Sequence, residues 1–197
     1  MAPPSQASSA IRYYGQGIRL FDRSTASGKT CHHVPARAGR TMAGSDLLTF
    51  NYRPLGEQDI AGIARVHWRA CSLAYSFMNW SYTEQEVQDW YAGKFHEWHW
   101  GLVAEARDIV VGFAACRNVH LDQLFIDPAY QMRGLGTRML RAAIERTPGA
   151  ETLNVFEQNI AARQFYEKHG FREVERFLNE EARSIELLYR RAKAPIG

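Results

Sequence analysis

The stretch Leu121–Arg141, LDQLFIDPAYQMRGLGTRMLR, decides how this chain is organised. Leu121, Leu124, Phe125 and Ile126 form a short apolar run with aromatic and β-branched side chains, which predicts a buried strand. Asp127-Pro128 ends it, because proline fixes its own φ and drives the preceding residue away from helix. Gln131 to Thr137 follows as a glycine-punctuated loop, and Met139, Leu140 and Ile144 recur behind it at helical spacing. Glycines ahead of a helix let the backbone approach a ligand closely, and the first helical N–H groups have no partner within the helix. The helix dipole favours an anion at the same place, so a phosphate or pyrophosphate is the expected guest.

Two phosphate motifs fail against this loop. A dinucleotide fingerprint needs a third glycine where Met139 stands, and a P-loop needs Lys-[Ser/Thr] where Thr137-Arg138 stands. Q-x-R-G-x-G after a strand ending in Asp-Pro remains.

Upstream, Thr49–Pro54 reads as a first strand and Glu57–Cys71 as a helix striped by Ile60, Ile63, Ala64, Val66 and His67. Leu73–Tyr82 is an aromatic loop. Thr83-x-x-Glu86 is a capping box opening a second helix through Val87, Trp90, Tyr91 and Phe95. Trp100–Glu105, Val110–Cys116 and Val119–Ile126 are three strands, with Asp108 and Arg117-Asn118 in the turns between them. Downstream, Pro148-Gly149 breaks the helix that ends near Arg146, and Thr152–Phe156 is the next strand. Ile160–His169 is a helix stopped by Gly170, and Phe171–Phe177 and Ser184–Tyr189 are strands joined by a polar loop. The order β-α-α-β-β-β-α-β-α-β-β predicts an α/β fold of the α+β kind: a mixed, mostly antiparallel central sheet with helices on both faces.

Residues 1–48 are rich in Ser, Ala, Gly and Pro and lack periodicity, which predicts a disordered basic extension before a domain at 49–191 and a short tail at 192–197. An organellar transit peptide fits the extension's composition, and Met42 is a second candidate start. The extension carries +4 of the total charge of +3, leaving the domain at −1. The basic balance therefore gives no reason to expect a nucleic-acid partner. No run approaches the ~18 apolar residues of a membrane span. Cys31, Cys71 and Cys116 form neither a metal pattern nor a disulfide framework, which suggests a reducing cytoplasm. His96-Glu97-Trp98-His99 misses the H-E-x-x-H zinc spacing by one residue, so no metal is expected.

The segment Asn154–Phe171, NVFEQNIAARQFYEKHGF, holds N-x-x-A-x-x-F-Y-x-x-x-G-F after a strand. Together with Gln131–Gly136 and the order of elements over about residues 49–190, it resembles the GNAT superfamily of acyl-CoA-dependent N-acyltransferases. The resemblance implies N-acetyl transfer from acetyl-CoA to the primary amine of a small molecule or peptide, by direct attack in a ternary complex. It implies a monomer or homodimer. Leu124, Phe125 and Ile126 would offer backbone groups to the pantetheine arm as an added half-strand. Met132, Arg133, Gly134, Leu135, Gly136 and Thr137 would wrap the pyrophosphate. Asn159 would hydrogen-bond the arm, and Tyr166 would protonate the leaving thiolate as general acid. Each has a plainer reading, Asn159 as a helix N-cap and Tyr166 as packing.

The base is less legible. Asparagine at 154, where some family members carry glutamate, cannot take a proton; others carry a glutamate at the position of His120, so the resemblance makes His120 a candidate base, with Asp122 two residues on along the same strand and Glu157 as a third. The resemblance implies that Tyr75, Phe77 and Trp80 from the aromatic loop, together with Glu180 and Glu181, flank the amine pocket opposite the pantetheine. A catalytically silent acyl-CoA-binding regulatory module is the alternative.

Overall fold

The apolar runs become seven strands of one sheet in the computed structural model, which describes residues 49–75, 82–146, 150–180 and 182–192. The strands are β1 (Asn51–Pro54), β2 (Trp100–Ala106), β3 (Ile109–Arg117), β4 (His120–Ile126), β5 (Thr152–Phe156), β6 (Phe171–Asn179) and β7 (Ser184–Arg191). The helices are α1 (Ile60–Ala74), α2 (Glu84–Lys94), α3 (Leu135–Arg146) and α4 (Ile160–Lys168). Their order is the predicted one. The predicted extension, Phe77, Trp80 and Glu181 lie outside the described residues.

Local chemistry sets the boundaries. Arg107 and Asp108 both take positive φ, the geometry that lets a two-residue turn follow the twist of β2 and β3. Thr83 caps α2 by accepting from the Glu86 N–H at 3.2 Å, while the Glu86 carboxylate accepts from the Thr83 N–H at 2.8 Å. Gly170 ends α4 at φ +86°, where a side chain would be strained. β6 runs to Asn179, two residues past the predicted end, because Leu178 and Asn179 stay in register with Ile185 and Ser184.

The spatial order is β1-β2-β3-β4-β5-β7-β6, antiparallel throughout except between β4 and β5. Alternation along each strand divides the core into two layers. Leu124 and Ile126 of β4 join Leu153, Val155 and Leu187 under α3 and α4. Phe125, between them, points the other way and joins Phe113, Phe156, Ile63, Val66, Trp90 and Tyr91 under α1 and α2. The parallel pair is short: only His120↔Thr152 and Leu121↔Leu153 are in register. Beyond them β4 and β5 part, and a seam opens toward the N-terminus of α3.

Candidate active site

The seam leads into a cleft of about 380 Å³ on the face of the sheet covered by α3 and α4. Ile126, Met132, Gly134, Leu135, Gly136 and Thr137 line it from one side, and Gln164, Phe165, Lys168 and His169 from the other. Six of the residues predicted to hold the cofactor are thus brought together. Leu124 and Phe125 are fully buried; their backbone pairs with Ala114 and Phe113 of β3, while no β5 register partner faces them. Arg133 stands outside the cleft lining, its guanidinium 5.8 Å from the Tyr130 ring centre.

The approach to α3 is shaped for a ligand's close contact. Met132 and Gly134 take φ +62° and +82°, and nothing lies within 4 Å of where a Gly134 Cβ would stand. The first backbone hydrogen bond of α3 is Arg138 N–H to Gly134 C=O at 3.1 Å, so the N–H groups just before it are the orphans of a helix start. No acidic residue occupies that first turn. The turn itself is pinned from behind: Asp127 accepts from the Ala129 N–H at 2.9 Å and pairs with Arg69 of α1 at 2.8 Å. Gln131 donates to the Ile126 carbonyl at 3.1 Å.

Asn159 and Tyr166 sit behind the seam. The Asn159 Oδ1 caps α4 by accepting from the Ala162 N–H at 3.2 Å, so the capping role is real. Its Nδ2 is buried without a hydrogen-bond partner among the described residues, a costly state that an incoming carbonyl relieves. Tyr166 is wholly buried in the layer under α3 and α4, edge-on to Phe171. Burial holds its phenol well above the ordinary value. Its hydroxyl is nonetheless felt by Tyr75, which belongs to the opposite layer. The parting of β4 and β5 is where the two layers communicate.

The base candidates lie on that opposite side. His120 Nδ1 and the Thr152 hydroxyl are 3.0 Å apart, tying β4 to β5 where they still pair. Burial lowers the His120 pKa, Asp122 works against that shift and Arg117 with it, so the ring is neutral at pH 7. Asp122 is already engaged, accepting from the Trp98 indole at 2.7 Å and from Arg117 at 3.1 Å. Both of its carboxylate oxygens are thus taken up by donors. Tyr75 is 1% exposed and packs edge-on to Phe156, a core position rather than a surface pocket wall. Glu180 is exposed in the turn after β6, and Glu157 pairs with Arg176 at 3.1 Å. His99 Nδ1 accepts from the Asn118 N–H at 3.1 Å, and His96 faces Glu57 at 3.8 Å, so the histidine-rich stretch serves the surface.

Sequence reasoning missed two groups. Lys168 and His169 complete the cleft from the end of α4, at a spacing that reads only as a helix terminus. Glu186 is a carboxylate in mid-strand, 4% exposed. The available signal was an acid flanked by Ile185 and Leu187 in the apolar part of its strand.

A sheet opened between two parallel strands above a glycine-marked helix start is the arrangement that the resemblance to the GNAT superfamily implies. Residues 97–173 match the family model described as "Acetyltransferase (GNAT) domain". The peptidyl-lysine N-acetyltransferase YjaB of Escherichia coli is 33% identical over 104 residues, covering 53% of this chain and 69% of that protein. The YjaB of Salmonella typhimurium is 41% identical over 73 residues, 37% of this chain and 49% of the relative, so the chain spans about half the length of that protein. The solution structure of apo YjaB from E. coli superposes with a TM-score of 0.62 at 27% identity, over 75% of this chain and all of that one. The putative acetyltransferase yncA of S. typhimurium, solved with acetyl-CoA, shares the fold at a TM-score of 0.54 and 20% identity, over 72% of this chain and 91% of that one. The chain belongs to the GNAT acetyltransferases.

Proposed function

We propose that the protein transfers the acetyl group of acetyl-CoA to a primary amine, by direct attack within a ternary complex. The observation that carries this reading is the seam: a parallel pair that separates after two register positions, directly above an unpaired helix start. In this reading the pantetheine arm lies in the seam against the backbone of Leu124, Phe125 and Ile126. The N–H groups of residues 132–137 surround the pyrophosphate, and Arg133 and Lys168 supply positive charge at the rim. Asn159 Nδ2 donates to a carbonyl of the arm. Acetyl-CoA supplies the activated thioester, and Tyr166 donates to the departing sulfur. Relatives named for peptidyl-lysine support an amine acceptor of the peptide-lysine kind. A 59-residue match at 41% identity to the spermine/spermidine N(1)-acetyltransferase of Bacillus subtilis extends the class to polyamines.

Two measurements test the reading. Release of free thiol from acetyl-CoA is expected with Nα-acetyl-lysine amide or spermidine. Tight acetyl-CoA binding without release across a panel of amines speaks instead for a silent acyl-CoA-binding regulator. Acetyl-CoA at 100 times its Kd is expected to stabilise the fold by about 2.7 kcal/mol. Gly134→Asp should remove that stabilisation, raising Kd at least ~100-fold (about 2.7 kcal/mol), because it sets bulk and a negative charge where the pyrophosphate must approach and competes with it for the N–H groups. Gly134→Ala separates charge from backbone strain, which at positive φ costs about 1–2 kcal/mol. Undiminished stabilisation of the aspartate variant shows that the cofactor binds elsewhere.

A further inference from the structure

Glu186 is the strongest unexplained feature outside the cleft. It stands on β7 directly opposite Phe156, the last residue of β5, and so beside the open end of the seam. Leu187 and Ile185 face α3 and α4, which turns Glu186 toward the other layer, the side that carries His120 and Asp122. Its carboxylate is 4% exposed and accepts from Asn179 Nδ2 at 3.0 Å. The Asn154 amide on β5 also acts on it, lowering its pKa as a nearby donor does. No lysine, arginine or histidine among the described residues pairs with it.

A buried carboxylate costs free energy unless a cation meets it, and two amide donors serve only part of its lone pairs. The two asparagines hold the group in one orientation without neutralising it. Asn154 cannot itself take a proton, and it acts on a carboxylate one strand away.

We propose that Glu186 receives the ammonium group of the acceptor and takes its proton, directly or over one water, so that the acceptor is a strongly basic amine of the lysine or polyamine kind. This rests on the acetyl-transfer reading of the seam. The Glu186 carboxylate accepts one proton from R–NH3+, and the freed lone pair attacks the thioester carbonyl. The tetrahedral adduct expels the thiolate as the C–S bond breaks. Tyr166 protonates the sulfur and recovers a proton from the new amide nitrogen. Glu186 returns its proton to water when the product leaves.

Burial raises the Glu186 pKa, while the amides of Asn179 and Asn154 pull it back. That moves a carboxyl toward the range in which a base works at neutral pH. Among the described residues the titratable group facing it is Tyr75 at the end of α1, whose hydroxyl also feels Tyr166. β5 and β6 present Asn154, Phe156, Phe177 and Asn179, none of which ionises near neutrality.

The test is Glu186→Gln, with acetyl-CoA affinity measured first to establish that the cofactor side is intact. With Nα-acetyl-lysine amide and with spermidine, kcat/KM at pH 7 is expected to fall at least ~100-fold. The deficit should shrink as pH rises and the amine loses its own proton. It should also shrink with a peptide α-amine, whose pKa is ~7.8 against ~10.4 for lysine. An unchanged rate, or a loss independent of pH and of amine pKa, overturns the proposal. So does a His120→Gln variant that loses the pH-dependent limb while Glu186→Gln keeps it. Wild-type protein that binds acetyl-CoA and acetylates none of these amines fails at the earlier step, refuting transfer itself and this proposal with it. If Glu186→Gln does not fold, Glu186→Asp keeps the charge and should keep the wild-type pH dependence at a lower rate; a flat profile there overturns it.

Discussion

Tyr166→Phe is expected to slow turnover by about 100-fold or more while acetyl-CoA affinity changes little. The substitution keeps a ring that is wholly buried and edge-on to Phe171, and removes only the hydroxyl. A phenol in water has a pKa of ~10, and burial pushes this one higher still. In bulk solvent such a group is a poor acid toward a thiolate. Inside the seam the developing thiolate is desolvated as well, and burial raises thiol pKa for the same reason, so donor and acceptor move together. The raised value also makes Tyr166 fully protonated across the working range. The pH–rate profile should therefore show no falling limb from this residue below about pH 10. Equal kcat for the phenylalanine variant and the parent assigns Tyr166 to packing alone.

Acidification from pH 7 to pH 5 is expected to cost about 2 kcal/mol through His67 alone. This ring is stacked on Phe125 at 4.3 Å between centres, and its Nδ1 lies 2.6 Å from the Tyr91 hydroxyl, which donates to Gln123 at 3.1 Å. Burial lowers its pKa to about 3, far below the ordinary 6.5. A depressed folded-state value stabilises the fold fully above the unfolded pKa, and the contribution drains away as pH falls from 6.5 toward 3. Each pH unit in that window costs about 1.4 kcal/mol, a large share of a typical total of 5–15. Urea unfolding of the parent and of His67→Gln at pH 7, 6 and 5 checks it. The glutamine variant starts lower but should lose less on acidification, and parallel losses in the two proteins show that His67 is not kept neutral.

Much of the frame was legible because it rests on local rules. The Thr83–Glu86 box, the stop at Gly170 and the glycine loop before α3 each depend on residues a few positions apart. Alternation along Leu124-Phe125-Ile126 likewise declares two faces. What sequence did not show depends on register between distant strands. A register shift between Ala115 and Cys116 breaks the alternation of β4, so Asp122 reaches Trp98 and Arg117 and Gln123 reaches Tyr91. Tyr75 looked like a pocket wall because it opens an aromatic run, yet it packs on Phe156, eighty-one positions away. Glu186 was passed over because its neighbours in space, Asn154 and Asn179, are brought beside it only by β5 and β6 flanking β7.

The short pairing of β4 with β5 has a bearing on which donors the enzyme accepts. The sheet is a wall between two compartments, with the cleft of α3 and α4 on one side and the residues around Glu186 on the other. Among the described residues the parting of β4 and β5 forms a slit between strands, and neighbouring strands lie about 4.8 Å apart when paired. Omitting one strand's worth of pairing leaves room for one extended chain and little else. A thin arm threads such a slit, whereas a bulky acyl group meets Phe125, Phe156 and Tyr166, all wholly buried and closely packed at its edges. Donor choice is then a matter of girth, set by how far two backbones stand apart, and is independent of whatever chemistry selects the amine.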